Sequence, residues 1–122
     1  RGIDTGNIID SISFKISINS TAFDNYNNLL KKSVLIFKGN FLKIFENRYS
    51  SKKQNIDKGS YFSRKSVNYS KLINFKMIKN NISTHNKIRA LIFQPFQLPV
   101  YNGNKIKKSI LKNKKIKLEY LK

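Results

Sequence analysis

A chain of 122 residues, 39% hydrophobic and 12% aromatic, has room for one modest core, and so for one domain or part of one. Its formal charge of +19 attracts polyanions, but lysine is spread along the whole chain and arginine is scarce (Arg1, Arg48, Arg64, Arg89), so a solvated lysine surface is the favoured reading. With no cysteine and one histidine, His85, thiolate and histidine-built metal sites are excluded; with no long apolar run and no leader pattern, the default expectation is a soluble cytoplasmic chain without a membrane partner.

The first six residues, Arg1-Gly2-Ile3-Asp4-Thr5-Gly6, set a carboxylate on a tight turn ahead of Asn7-Ile8-Ile9. The chain begins with Arg rather than Met, so this reads as the middle of a protein, close to a reactive group. Taken alone, Asp-Thr-Gly is a common turn in which Asp bonds its own backbone. Ile12, Phe14, Ile16 and Ile18 then alternate with polar residues, the period of a half-buried strand. Thr21-Ala22-Phe23-Asp24 has the spacing of a capping box and opens a helix. Phe23, Tyr26, Leu30, Val34, Phe37, Phe41 and Ile44 recur at steps of three and four, giving one apolar face of a long helix that ends near Asn47. Gly39 inside it marks a kink or a site of close packing.

Residues 48 to 70 read as a long polar loop, long enough to be functional or disordered. Leu72-Ile73-Asn74-Phe75 is a short strand or an extended piece. A second helix starts near Ile82, with Ser83 or Thr84 as its cap and Ile88, Leu91 and Ile92 as its buried face; Pro95 stops it. Pro99-Val100-Tyr101 runs extended into Asn102-Gly103, a hairpin signal. Lys105 to Lys122 carries eight lysines and one glutamate with Ile106, Ile110, Ile116 and Leu118 between them, either a strand pair or a frayed basic end.

Three groupings are candidates for chemistry. In Tyr61-Phe62-Ser63-Arg64 an arginine beside two rings can clamp a phosphate or stack on a base, and can equally be a loop anchored by its rings. His85 and Arg89, four apart on one helix, can pair on an anion, although such a pair is more often a surface face. The lysine-rich tail can bind nucleic acid, but its single aromatic, Tyr120, argues against a stacking platform, and lysines between isoleucines also suit an edge strand protected from aggregation.

Taken in order, these segments resemble the folate-dependent formyltransferases, which include methionyl-tRNA formyltransferase and the sugar N-formyltransferases. Gly2-Ile3-Asp4-Thr5-Gly6-Asn7-Ile8-Ile9 looks like the family's catalytic Asp loop leading to a strand and a long helix. Tyr61-Phe62-Ser63-Arg64, Ile88-Arg89-Ala90, Gln94-Pro95-Phe96 and the Asn102-Gly103 turn follow in the family's order. The resemblance implies an α/β fold: residues 1–97 as the C-terminal part of a Rossmann-like formyltransferase catalytic domain, and residues 98–122 as a short basic β-rich extension or tail. It implies transfer of a formyl group from formyl-tetrahydrofolate, without a metal, to the amine of a nucleotide-linked amino sugar. Asp4 takes the catalytic position, and Tyr61, Arg64 and Arg89 take substrate-binding positions. The family's catalytic Asn and His have no counterpart here, and His85 does not match that His, so this chain alone is expected to be inactive. Its Ile12–Ile18 strand is expected to lack neighbours and to expose apolar surface. The implied partners are the nucleotide sugar and a second copy in a homodimer. The alternatives are a fragment of methionyl-tRNA formyltransferase, a non-catalytic basic module that binds nucleic acid, and an inactive remnant.

Overall fold

The computed structural model describes residues 5–60, 63 and 73–121. In chain order the elements are helix α1 (Ala22–Phe45), a 3₁₀ turn (Ile56–Lys58), strand β1 (Asn74–Phe75), helix α2 (Ile82–Leu91), and strands β2 (Val100–Tyr101), β3 (Asn104–Lys112) and β4 (Lys115–Tyr120). The strands form one sheet in the order β1-β2-β3-β4, parallel between β1 and β2 and antiparallel thereafter. The α/β class expected from the sequence is the class observed.

The capping box is present. Thr21 Oγ1 accepts from the Asp24 amide at 3.1 Å, and Asp24 Oδ2 accepts from the Thr21 amide at 2.9 Å. Two otherwise orphaned donors are thus satisfied at the helix start. The helix then runs 24 residues without a break, through Gly39, and ends at Phe45, short of Asn47. A Cβ on Gly39 would meet nothing within 4 Å, so this glycine marks neither a break nor a close approach.

The strand expected at Ile12–Ile18 is not formed. A strand needs a ladder, and residues 12–16 pair with no described backbone. The stretch is held near its ends, by the Ile8–Lys52 bridge (2.8 Å in both directions) and the Asp10–Asn40 bond on one side, and by a Ser20-to-Ser17 turn bond and the His85 bond to the Ile18 carbonyl on the other. Ile12 and Ile16 are left 44% and 56% exposed.

Helix α2 is capped by Asn81 rather than by Ser83 or Thr84: Asn81 Oδ1 accepts from the Thr84 amide at 2.8 Å. The core forms where α2 lies on the sheet. Ile88, Ile92 and Ile106 are buried, with Phe75, Leu98, Tyr101 and Leu118 packed around them. Leu91, expected beside them, is half-buried. Each fully buried aliphatic of this kind contributes about 1.5–3 kcal/mol.

Two tight turns build the sheet beyond α2. Asn102 and Gly103 have φ of 50° and 76°, and Asn113 and Lys114 have φ of 49° and 60°. Positive φ at both central residues matches the twist of paired strands. The basic tail is therefore a strand pair, with the side chains of Lys105, Lys107, Lys108, Lys112, Lys114, Lys115 and Lys117 in solvent. β3 carries a bulge: Ile106 faces Tyr120 while Lys108 already faces Glu119. The extra residue lets Ile106 and Ser109, three apart, both point into the core.

No helix among the described residues is long and apolar enough to cross a membrane. Among them there is also no cluster of three or more His, Asp or Glu side chains able to hold a metal ion.

Candidate functional site

The connection from residue 18 to residue 23 enters α1, and four hydrogen bonds from distant parts of the chain hold it. His85 Nε2 lies 2.7 Å from the Ile18 carbonyl oxygen. The Leu111 amide donates to Asn19 Oδ1 at 2.9 Å. Arg89 Nη1 donates to the Ser20 carbonyl at 2.8 Å. The Phe23 amide donates to the Ile92 carbonyl at 3.2 Å.

At the centre of this clasp His85 is fully buried, and so is Ser109. A carbonyl can only accept, so Nε2 carries a hydrogen, and in the neutral ring Nδ1 accepts from the Ser109 hydroxyl, 2.8 Å away. The β3 bulge is what aims Ser109 at the ring. Both ring nitrogens are thus committed to structure, which corrects the reading of His85 as half of an anion-binding pair with Arg89.

Arg89 sits at the edge of the clasp. Its Nε donates to Asn86 Oδ1 at 2.8 Å, one turn back on α2. With Nη1 on Ser20, the guanidinium is fixed at two points. Beside it opens a hollow of about 610 Å³, walled by Phe14, Ile16, Tyr26, Leu29 and Asn86. Asn25 also borders it, and its Oδ1 is buried without a hydrogen-bond partner among the described residues. The hollow is apolar along most of its wall, with the guanidinium and amides on one side, the character of a site that orients a ligand by a few polar groups. Asp4, Tyr61, Phe62 and Arg64 lie outside the described residues, so Arg89 is the one expected site residue with a described position.

A second hollow, about 500 Å³, lies beside the loop after α2. The loop is closed by reciprocal bonds between Phe93 and Gln97, at 3.0 and 2.9 Å, across a cis Gln94–Pro95 peptide. Phe96 projects from it, 82% exposed, near Gln94, Leu98, Val100 and Lys105. An exposed ring, side-chain amides and an ammonium group together suit a ligand that joins a flat heterocycle to an anionic group.

Earlier in the chain, Asp10 is tied to α1. Its Oδ2 accepts from Asn40 Nδ2 at 2.6 Å and its Oδ1 from the Ser11 amide at 2.7 Å. The Asn40 bond, then the Ser11 bond and the nearby Lys43 charge, hold this carboxyl below the ordinary carboxylate value.

Sequence reasoning missed Ser109, Asn19 and Lys105. The signal for His85 was present: residues 85, 88 and 92 share one helix stripe, which puts the histidine on the buried face.

No protein-family model matches the chain, and no curated protein sequence does. Solved structures do. WlaRD, a sugar 3N-formyltransferase crystallised in the presence of dTDP and 5-N-formyl-THF, is 50% identical with a TM-score of 0.79; the match covers 92% of this chain and 40% of that one. The N-formyltransferase from Helicobacter canadensis, in complex with folinic acid and dTDP-3-aminofucose, is 46% identical with a TM-score of 0.79, over 92% of this chain and 41% of that one. Over 92% of its residues, the sequence and fold of this chain are similar to those of the formyltransferase family, as its motifs suggested. Within the family, the two relatives are sugar N-formyltransferases. The chain spans about two fifths of their length.

Proposed function

We propose that the chain is part of an enzyme that moves a formyl group from formyl-tetrahydrofolate to the amine of a nucleotide-linked amino sugar. The observation that carries this reading is 50% identity to a sugar 3N-formyltransferase over 92% of the chain. Fold alone would not suffice, since one fold hosts many chemistries.

In the reaction, the amine nitrogen attacks the formyl carbon and a carbon–nitrogen bond forms. Negative charge gathers on the formyl oxygen. The bond from that carbon to the folate nitrogen then breaks, the amine gives up a proton, and the departing folate nitrogen takes one. Asp4 is assigned to orient the amine and accept its proton, directly or through water. Tyr61, Arg64 and Arg89 are assigned to the nucleotide sugar. The two-point bracing of Arg89 supports its part, because a fixed guanidinium loses little freedom on meeting an anionic group. Residues 1–97 form the catalytic portion in this reading, and residues 98–122 the β-rich extension. The hollow beside Phe96 and Lys105 is assigned to the nucleotide.

The test is a chimera in which this chain replaces the matched 41% of the H. canadensis enzyme. Formylation of dTDP-3-aminofucose by the chimera is the expected result, with kcat reduced about 100-fold or more by Asp4→Ala. A folded chimera that transfers no formyl group would overturn the reading, and full activity in Asp4→Ala would remove the role given to that residue.

A further inference from the structure

We infer that Phe93 is a positioning residue for the nucleotide: it sets the pose of the Phe96 ring at the edge of the hollow and ties that ring to the first turns of α1. The inference deepens the functional reading above and rests on the assignment of that hollow to the nucleotide.

Phe96 is 82% exposed, at the edge of the hollow it shares with Gln94, Leu98, Val100 and Lys105. A phenylalanine in water loses the stabilisation that burial gives, so a cluster that served packing alone would turn this ring inward. A ring that stacks on a flat heterocycle must present one face. If its rotamer is free, ordering it on binding weakens the contact. The reciprocal Phe93–Gln97 bonds, at 3.0 and 2.9 Å, close the loop and fix its backbone. They leave the side-chain torsions of Phe96 free. Among the described residues, the ring that meets Phe96 is Phe93, with centroids 5.9 Å apart and planes tilted by 37°.

Phe93 is itself held. Its ring makes edge contacts with Phe23, at 5.6 Å and 82°, and with Tyr26, at 5.3 Å and 61°. Such contacts set an electropositive ring edge against an electronegative face. Phe23 and Tyr26 stand three apart on α1 and so share one face of the helix. The Phe23 amide also donates to the Ile92 carbonyl at 3.2 Å, which fixes the backbone beside Phe93 to the same turn.

The rings therefore run in series from α1 through Phe93 to Phe96. Phe23 and Tyr26 are 36% and 44% exposed, and exposure is greatest at the end of the series, where the hollow opens. Phe93 does not wall the hollow, so its influence on a nucleotide passes through the Phe96 ring.

The experiment measures steady-state kinetics of the chimera described above, with dTDP-3-aminofucose and the formyl donor varied in turn. Phe93→Leu should raise KM for the nucleotide sugar about three- to tenfold, the worth of an aromatic pair. It should leave kcat and KM for the formyl donor unchanged, the mark of lost binding that is equal in ground and transition states. Phe93→Tyr, which keeps a ring, should restore the KM. Phe23→Leu, farther along the series, should give a smaller rise in the same direction. Phe96→Ala should raise the same KM, and Phe93→Leu added to it should change little more, because no ring remains to be positioned. An unmoved KM in Phe93→Leu and Phe23→Leu, with a raised KM in Phe96→Ala, would overturn the positioning role alone. So would full additivity of Phe93→Leu and Phe96→Ala, or a fall in kcat with both KM values unchanged, which reports fewer folded molecules. An unmoved KM in Phe96→Ala would instead remove the assignment of the hollow to the nucleotide, and the positioning role with it.

Discussion

Among individual residues, Asp10 and Ser109 show how differently two hydrogen-bonded side chains depend on their surroundings. Asp10 is exposed, and the Asn40 amide chiefly lowers its pKa. A carboxyl with a lowered folded-state pKa contributes stability above its unfolded value, and the contribution is lost as pH falls through the folded value. The tie to α1 should therefore persist through neutral and mildly acidic solution and release only below the ordinary value of 3.8. An NMR titration of the Asp10 carboxyl carbon reads this directly, and Asn40→Ala should move the midpoint back up; an unmoved midpoint would mean that the amide is not the cause. Ser109 is fully buried against His85 Nδ1. Ser109→Ala leaves a buried ring nitrogen unpaired, which costs about 1–3 kcal/mol. Urea unfolding should show the loss, and Ser109→Thr, which keeps the hydroxyl, should show less of it. The role of His85 was readable in principle from its stripe with Ile88 and Ile92, whereas that of Ser109 was not, because strand alternation from Ile106 points a residue three positions on away from the core.

Elements that depend on neighbouring residues were legible in the sequence, and those that depend on distant partners were not. The Thr21–Asp24 box and the Asn102-Gly103 turn are complete within four residues, so their spacing was enough. The α2 cap was misplaced by two or three positions because Asn81, Ser83 and Thr84 are all competent acceptors, and the choice falls to whichever oxygen reaches a free amide. The Ile12–Ile18 pattern has a strand's period, but a period specifies only which face is apolar and supplies no partner. The β3 bulge is the clearest case of information held between strands. It places two lysines, Lys107 and Lys108, outward between two inward residues. Deleting Lys107 should therefore regularise the strand while leaving Ile106 and Ser109 on the core side. The deletion variant is expected to keep the slow amide exchange of the β3–β4 ladder, whereas an inserted residue at the same point should lose it; fast exchange across the ladder after the deletion would contradict this account.

In the molecule as a whole, the lysines do not gather at either hollow. Lys105 borders one, and the rest of the hairpin's described lysines stand in solvent, in keeping with charge that keeps the surface wet rather than selects a ligand. The clasp at residues 18–23 has a different consequence. Its side-chain bonds join residues 67, 69 and 92 apart in sequence, whereas α2 and the hairpin complete themselves within residues 81–121. Closing so long a loop costs more chain entropy than closing a turn. The order of assembly follows: the α2–hairpin unit forms first, and the stretch leading into α1 closes on it afterwards. The clasp is therefore the expected place of first local opening. Arg89→Met should accordingly speed hydrogen exchange at the Phe23 and Leu111 amides, both held by the clasp, and leave Ile110 and Lys117 at their former rates. On that account Arg89 does more than border a hollow: by bonding Ser20 it ties the entry of the long helix to α2.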